Sequence, residues 1–377
     1  MNKINVGIIF GGKSAEHEVS LQSAKNVVLA LDKEKYNPIL IGIDKAGKWL
    51  LSGQSQLLIE NHSPELSGPS SSATVPPHQT GVNPADSHPA SIFHQLWCGG
   101  KPSSELFESN KIDVAFPILH GTFGEDGTVQ GLLKLAGVPF VGASVLGSAV
   151  GMDKDVMKRL LREAGLPIAD FLVYGSPSTA NFEVVVNELG LPFFVKPANL
   201  GSSVGVFKVH NKEEFDKAIK GAFEYDTKII IEENIVGREV ECSVLGNENP
   251  IASTVGEVIP SHEFYSYEAK YLDEKGALIK IPADLPKDTI NKVRELAVKT
   301  YKVLCCEGMG RVDCFVKNNG EVIVNEINTI PGFTKISMYP KLWDASGVGY
   351  SELLDKLISL AIDRFKKEQK LKTSFVG

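Results

Sequence analysis

Cysteine is scarce in this chain, and basic charge is not in excess. The 377 residues hold five cysteines, Cys98, Cys242, Cys305, Cys306 and Cys314. Their odd number and lack of a metal-ligand spacing exclude a disulfide framework and a zinc site, and they read as reduced thiols of a cytoplasmic protein. Lys and Arg number 39 against 46 Asp and Glu, a net charge of −7. No general basic surface follows, so a nucleic-acid partner is not expected. No apolar run approaches transmembrane length, and the run at residues 4–10 is too short for a signal peptide. No membrane partner is expected either. Asn61-His62-Ser63 matches a glycosylation sequon, which means little without secretion.

What is present is ordinary for a globular enzyme: 43% hydrophobic and 23% charged residues, in a chain long enough for two or three domains. An apolar strand at 4–10 runs into Gly11-Gly12, a helix follows at 19–31, and a strand at 36–43 completes a βαβ opening. Gly7 to Ser14 satisfies the G-x-x-x-x-G-K-S phosphate-loop expression. Ile8, Ile9 and Phe10 are strand residues, however, where a phosphate loop must curl its amides around the ligand. The polar stretch after Lys13, including Glu16, instead suits a loop above a strand's carboxyl end, where α/β sheets bind ligands.

Ser, Pro, His and Gly crowd residues 52–110, which read as a long surface insertion. The strand at 112–118 leads into His120-Gly-Thr-Phe-Gly-Glu-Asp-Gly127, either a ligand loop or an ordinary turn. Met152-Asp-Lys154 opens a helix that Gly165 stops. A strand ending at Lys196-Pro197 meets Gly201-Ser-Ser-Val-Gly205, whose hydroxyls and unhindered amides suit a phosphate clamp. A strand at 229–235 turns acidic at its end, and residues 257–277 read as a long loop that must cover something. Helices are expected at 287–304 and 350–368.

Between the last two helices lies a hairpin, with β-type runs flanking Asn319-Gly320. A two-residue loop sets Asp313 opposite Glu326 and Arg311 opposite Asn328, all on one face. Opposed carboxylates repel, and clustered Asp, Glu and Asn oxygens suit Mg²⁺ with substrate phosphates completing the shell. The alternative is a solvated hairpin in which Arg311 neutralises both acids. A three-residue loop including Asn318 would shift the register and separate the pair.

Taken together, these motifs resemble the D-alanine–D-alanine ligases of the ATP-grasp superfamily, nearly end to end. The markers are Gly11-Gly-Lys-Ser-Ala-Glu-His-Glu-Val-Ser20, His120 to Gly127, Met152-Asp-Lys154, Val195-Lys-Pro197, Gly201 to Gly205, Glu268-Ala-Lys-Tyr271, Gly310-Arg-Val-Asp313 and Asn325-Glu-Ile-Asn-Thr-Ile-Pro-Gly-Phe333. The resemblance implies a mixed α/β and α+β chain with a three-domain ATP-grasp fold. A Rossmann-like (preATP-grasp) domain would span 1–148, a central ATP-grasp subdomain 149–238 and a C-terminal one 239–377. It implies ATP as co-substrate and two Mg²⁺ ions, with Mn²⁺ as a substitute, held by Asp313, Glu326 and Asn328. Lys154, Lys196 and Ser203 would contact the phosphates, Glu232, Glu233 and Ile235 the adenine, and Glu239 the ribose. Glu16 would bind the ammonium of the first D-alanine, with His120 near its carboxylate. Ser202 and Tyr271 would join Glu16 in a set that holds the covering loop shut. Ser337, Met338 and Lys270 would take the second D-alanine, and Arg311 with the Gly332 amide the oxyanion. A homodimer and a role in cell-wall precursor supply are implied too. The resemblance also implies peptide rather than ester formation, because the related ester-forming ligases typically carry His in the covering loop, where Tyr271 is neutral at pH 7. Two features depart from the pattern: the insertion around 60–95, and Lys335, where a small residue is expected.

Overall fold

The computed structural model describes residues 2–61, 112–260 and 277–372. Among them are three sheets. The first has the order β3-β2-β1-β4, from β1 (Ile4–Gly11), β2 (Tyr36–Ile43), β3 (Trp49–Leu51) and β4 (Val114–Ile118). Strand β1 is parallel to both β2 and β4, as an opening βαβ unit requires. Residues 7–10 are therefore fully paired strand, and the phosphate-loop reading of Gly7 to Ser14 is overturned: these amides are committed to the sheet. Helix α1 (His17–Ala30), with Glu16 at its N-cap, starts two residues earlier than the periodicity predicts. The expected insertion begins later than residue 52, because Ser52–Asn61 forms helix α2; the rest of it lies outside the described residues. Helix α3 (Thr128–Leu135) covers the far face of the sheet.

Helices α4 (Val145–Met152) and α5 (Lys154–Glu163) lead to the second sheet. Asp153 caps α5, accepting the N–H groups of Asp155 and Val156 at 3.1 Å, which satisfies two otherwise orphaned donors. The second sheet is antiparallel, order β5-β8-β6-β7, from β5 (Phe171–Tyr174), β6 (Phe193–Pro197), β7 (Phe207–Val209) and β8 (Ile229–Glu233). Alternation sends Phe193 and Val195 into a core shared with α6 (Phe182–Leu189) and α7 (Lys212–Ala222). Phe194 and Lys196 consequently face the other side.

The third sheet, order β11-β10-β9-β12-β13, contains β9 (Arg238–Leu245), β10 (Ile251–Pro260), β11 (Ala277–Lys280), β12 (Met309–Val316) and β13 (Val322–Asn328). Val240, Cys242, Val312 and Cys314 pack under α8 (Lys287–Val303), leaving Glu239, Glu241, Arg311 and Asp313 on the opposite face. Residues 257–260, expected at the start of a loop, extend β10 instead. Helices α9 (Met338–Asp344) and α10 (Tyr350–Glu368) then return to the first sheet, where Leu353, Leu354, Leu357 and Ile358 join Val6, Ile8 and Phe116 in one core.

The hairpin is the most informative detail. Val316 faces Val322, and Lys317 N–H donates to Glu321 O at 2.8 Å, so the loop is the three-residue Asn318-Asn319-Gly320 with Gly320 left-handed at φ +81°. That alone would separate the acids. A bulge at Asn325 restores the register, and Asp313 faces Glu326 while Arg311 faces Asn328. The expected pairing holds through a loop and a bulge that compensate.

Candidate active site

The second and third sheets turn their charged faces toward one cleft. On the second, Glu232 is buried between two lysines, with Lys196 Nζ at 2.8 Å and Lys158 Nζ at 3.5 Å. Burial alone would raise the Glu232 carboxyl; Lys158 and Lys196 more than offset this and hold it below the usual carboxylate range. Burial pulls Lys158 down; for Lys196 burial pulls the same way, but the charge and hydrogen bond of Glu232, with the more distant acids, together hold the ammonium up. Glu326 and Glu239 also act on Lys196 across the cleft. Lys158, one turn beyond Lys154 in α5, escaped the sequence reading; its i, i+4 spacing from Lys154 was the available signal.

Lys154 Nζ donates to Leu200 O at 2.8 Å and stands 3.4 Å from Glu326 Oε2. It thus ties the glycine-rich loop to the hairpin. That loop is tightly wound: Ser202 and Ser203 are left-handed at φ +54° and +58°, as is Gly205 at +70°. Two consecutive non-glycine residues in this region are uncommon and cluster at ligand clamps. Ser202 Oγ donates to Glu16 Oε1, so the loop above β1 and the loop beyond β6 meet.

On the third sheet, Arg311 grips Asp313 through Nε and Nη2, both at 2.7 Å, and Asn328 Nδ2 donates to Asp313 Oδ2 at 3.0 Å. Burial would lower the Arg311 guanidinium, but Asp313 and Glu241 hold it well above its ordinary value. Arg311 is therefore ion-paired within the acids of this face, as the neutralising alternative for the hairpin would have it. Glu241, opposite Asp313 on β9, joins them; it sits two residues after Glu239 in the same alternation.

His120 is buried, and its Nδ1 lies 2.9 Å from Ile330 O. Burial lowers its basicity, so the neutral ring donates from Nδ1 and leaves Nε2 as an acceptor. Nε2 is buried with no hydrogen-bond partner among the described residues. Glu125, also missed, accepts N–H groups from Gly121 at 2.8 Å and Ile330 at 3.0 Å. Only its place in the glycine-rich loop pointed to it.

The remaining expected residues divide. Glu239 is half-buried on the cleft face of β9, and Ile235 is half-buried just beyond β8. The Glu233 carboxylate is taken by the Asp170 N–H at 2.9 Å, so its side chain serves the backbone. Gly332 lies so close to Ser337 that a Cβ would come 2.7 Å from Ser337 Oγ. Ser337 Oγ in turn accepts the Thr334 N–H at 3.0 Å, and Met338 is buried at the start of α9. Lys335 is exposed. Lys270 and Tyr271 lie outside the described residues.

Two family models match the chain, D-ala D-ala ligase N-terminus over residues 5–143 and D-ala D-ala ligase C-terminus over 160–359. The chain belongs to the D-alanine–D-alanine ligase family. It is 51% identical over 380 residues to the D-alanine–D-alanine ligase of Oceanobacillus iheyensis, covering 99% of each chain. The solved D-alanine–D-alanine ligase from Coxiella burnetii superposes with a TM-score of 0.79 at 39% identity, over 98% of this chain and 97% of that one. The Bacillus anthracis D-alanine–D-alanine ligase complexed with ATP gives 0.70 at 29% identity, over 97% and 99%. The protein is thus an enzyme of the ligase class with the ATP-grasp fold. No helix among its described residues is long and apolar enough to cross a membrane.

Proposed function

We propose that this ligase joins two D-alanines into D-alanyl-D-alanine, converting ATP to ADP and phosphate through a D-alanyl phosphate, for peptidoglycan precursors in the cytoplasm. The observation that carries this reading is the convergence at one cleft of the loop after β1, the loop after β6, the start of α5 and the hairpin, through Glu16 with Ser202 and Lys154 with Glu326. The domains are read as 1–148, 149–238 and 239–377, working as a homodimer.

Lys154, Lys196 and Ser203 neutralise and bind the phosphates, with Glu232 and the backbone near Ile235 at the adenine and Glu239 at the ribose. Donor chemistry supports the metal: Asp313, Glu326 and Asn328 offer hard oxygens on one hairpin face. Two Mg²⁺ ions held there would neutralise charge on the transferring phosphoryl group. Glu16 binds the first D-alanine's ammonium, and that substrate's carboxylate oxygen attacks the γ-phosphorus, releasing ADP. The second D-alanine, held near Ser337, Met338 and Lys270, attacks the activated carbonyl through its amine, and phosphate leaves. Arg311 and the Gly332 N–H stabilise the oxyanion. Tyr271 and its loop keep water from the acyl phosphate.

The test is ADP release with Mg-ATP across D-amino and D-hydroxy acids, with the product weighed by mass spectrometry. D-Alanine stimulates turnover and gives the dipeptide; a chain indifferent to D-alanine overturns the proposal.

A further inference from the structure

A row of three carboxylates crosses the third sheet: Glu241 on β9, Asp313 on β12 and Glu326 on β13, each directly opposite the next. Charged groups opposed in this way repel. Two cations stand against the row. Lys154 Nζ lies 3.4 Å from Glu326, and Arg311 lies between the other two acids. The arginine Nε is 2.7 Å from Asp313 Oδ1 and 2.9 Å from Glu241 Oε2.

Asp313 is thus heavily subscribed. Its two oxygens accept two hydrogen bonds from Arg311 and one from Asn328, and the proposed function asks the same oxygens to bind a divalent ion. A guanidinium does not lose its charge. With Asp313 as its sole carboxylate, Arg311 would compete with the incoming ion for one pair of oxygens and repel it at short range. Nothing in the family resemblance drawn from the motifs uses Glu241.

We propose, resting on the ATP and Mg²⁺ reading above, that Glu241 is a positioning residue that gives Arg311 a carboxylate of its own. Asp313 can then pass to the metal while the guanidinium keeps a partner and its place beside the reacting carbonyl. The arginine is handed from one strand to the next.

Mg²⁺ is titrated calorimetrically into the full chain with a non-hydrolysable ATP analogue, in the wild type, E241Q, E241D, R311M and R311M/E241Q. E241Q raises the Mg²⁺ concentration at half-saturation about tenfold, the low end for one close charge pair. E241D keeps the charge and recovers most of that loss. Adding E241Q to R311M shifts the titration less than about twofold, because the competitor is already gone. A merely structural glutamate would show neither the charge rescue nor this non-additivity. An E241Q titration that overlays the wild type, or a tenfold shift that persists in R311M, overturns the proposal. A wild-type chain that takes up no Mg²⁺ with the analogue removes the metal reading itself, and this inference with it.

Discussion

Glu125 accepts two backbone N–H groups, which favours its charged form, yet burial and then the charge of Glu16 push its carboxyl from 4.5 up to about 8. Because the folded chain binds this proton more tightly than the unfolded one, the associated stability is full below 4.5 and lost as pH rises to about 8. Glu125→Gln does not titrate. Urea midpoints at pH 5 and 8 should therefore show the wild type losing stability relative to Glu125→Gln at the higher pH; parallel behaviour would place the titration elsewhere. The same residue binds the loop after β4 to Ile330, two positions beyond Asn328 and two before Gly332. Its contribution to the site is alignment of backbone. That is why no residue-type signature revealed it.

In the hairpin, Asn325 is the extra residue that brings Glu326 back opposite Asp313. Deleting Asn325 straightens β13 and re-aims Glu326 and Asn328, and misplacement of about 1 Å at such a site costs on the order of a hundredfold in rate. ADP release should fall by that order while circular dichroism is unchanged; full activity would show that the bulge is incidental. Much at this level was legible beforehand. Alternation and turn residues located β2 and α10 to the residue, because 2.0 and 3.6 periodicities are local properties. The loop length and bulge were not legible, since each reflects a choice between near-equal turn types settled by the neighbouring strand β9. Lys158 and Glu241 stayed hidden for a related reason. Their partners, Glu232 and Arg311, sit 74 and 70 residues away in the numbering, and only packing brings them together. Family resemblance located the motif residues, but it did not show that Glu233 serves Asp170, or that Arg311 closes on Asp313.

Across the molecule, the second sheet has a core of its own, while the first sheet shares one with α9 and α10. Arg364 reinforces that shared core, donating to Gly142 O at 2.6 Å and Phe140 O at 2.7 Å. Arg364→Ala should cost about 1.5–3 kcal/mol, the range for hydrogen bonds to a charged group. Hydrogen exchange should then show β4 and α10 losing protection together, with β6 and β8 unaffected. Uniform loss would mean one cooperative unit instead of two.

The shared core has a further consequence for how the chain can be divided. The two family models part it near residue 150, yet Val6, Phe116, Leu353 and Leu357 meet in one interior. Units of descent and units of folding therefore do not coincide here. A gene cut at that boundary yields two fragments that each leave half a core exposed to water. Expressed singly, they would aggregate; expressed together, each supplies the surface the other needs, which makes the pair a split enzyme reconstituted by its own interior.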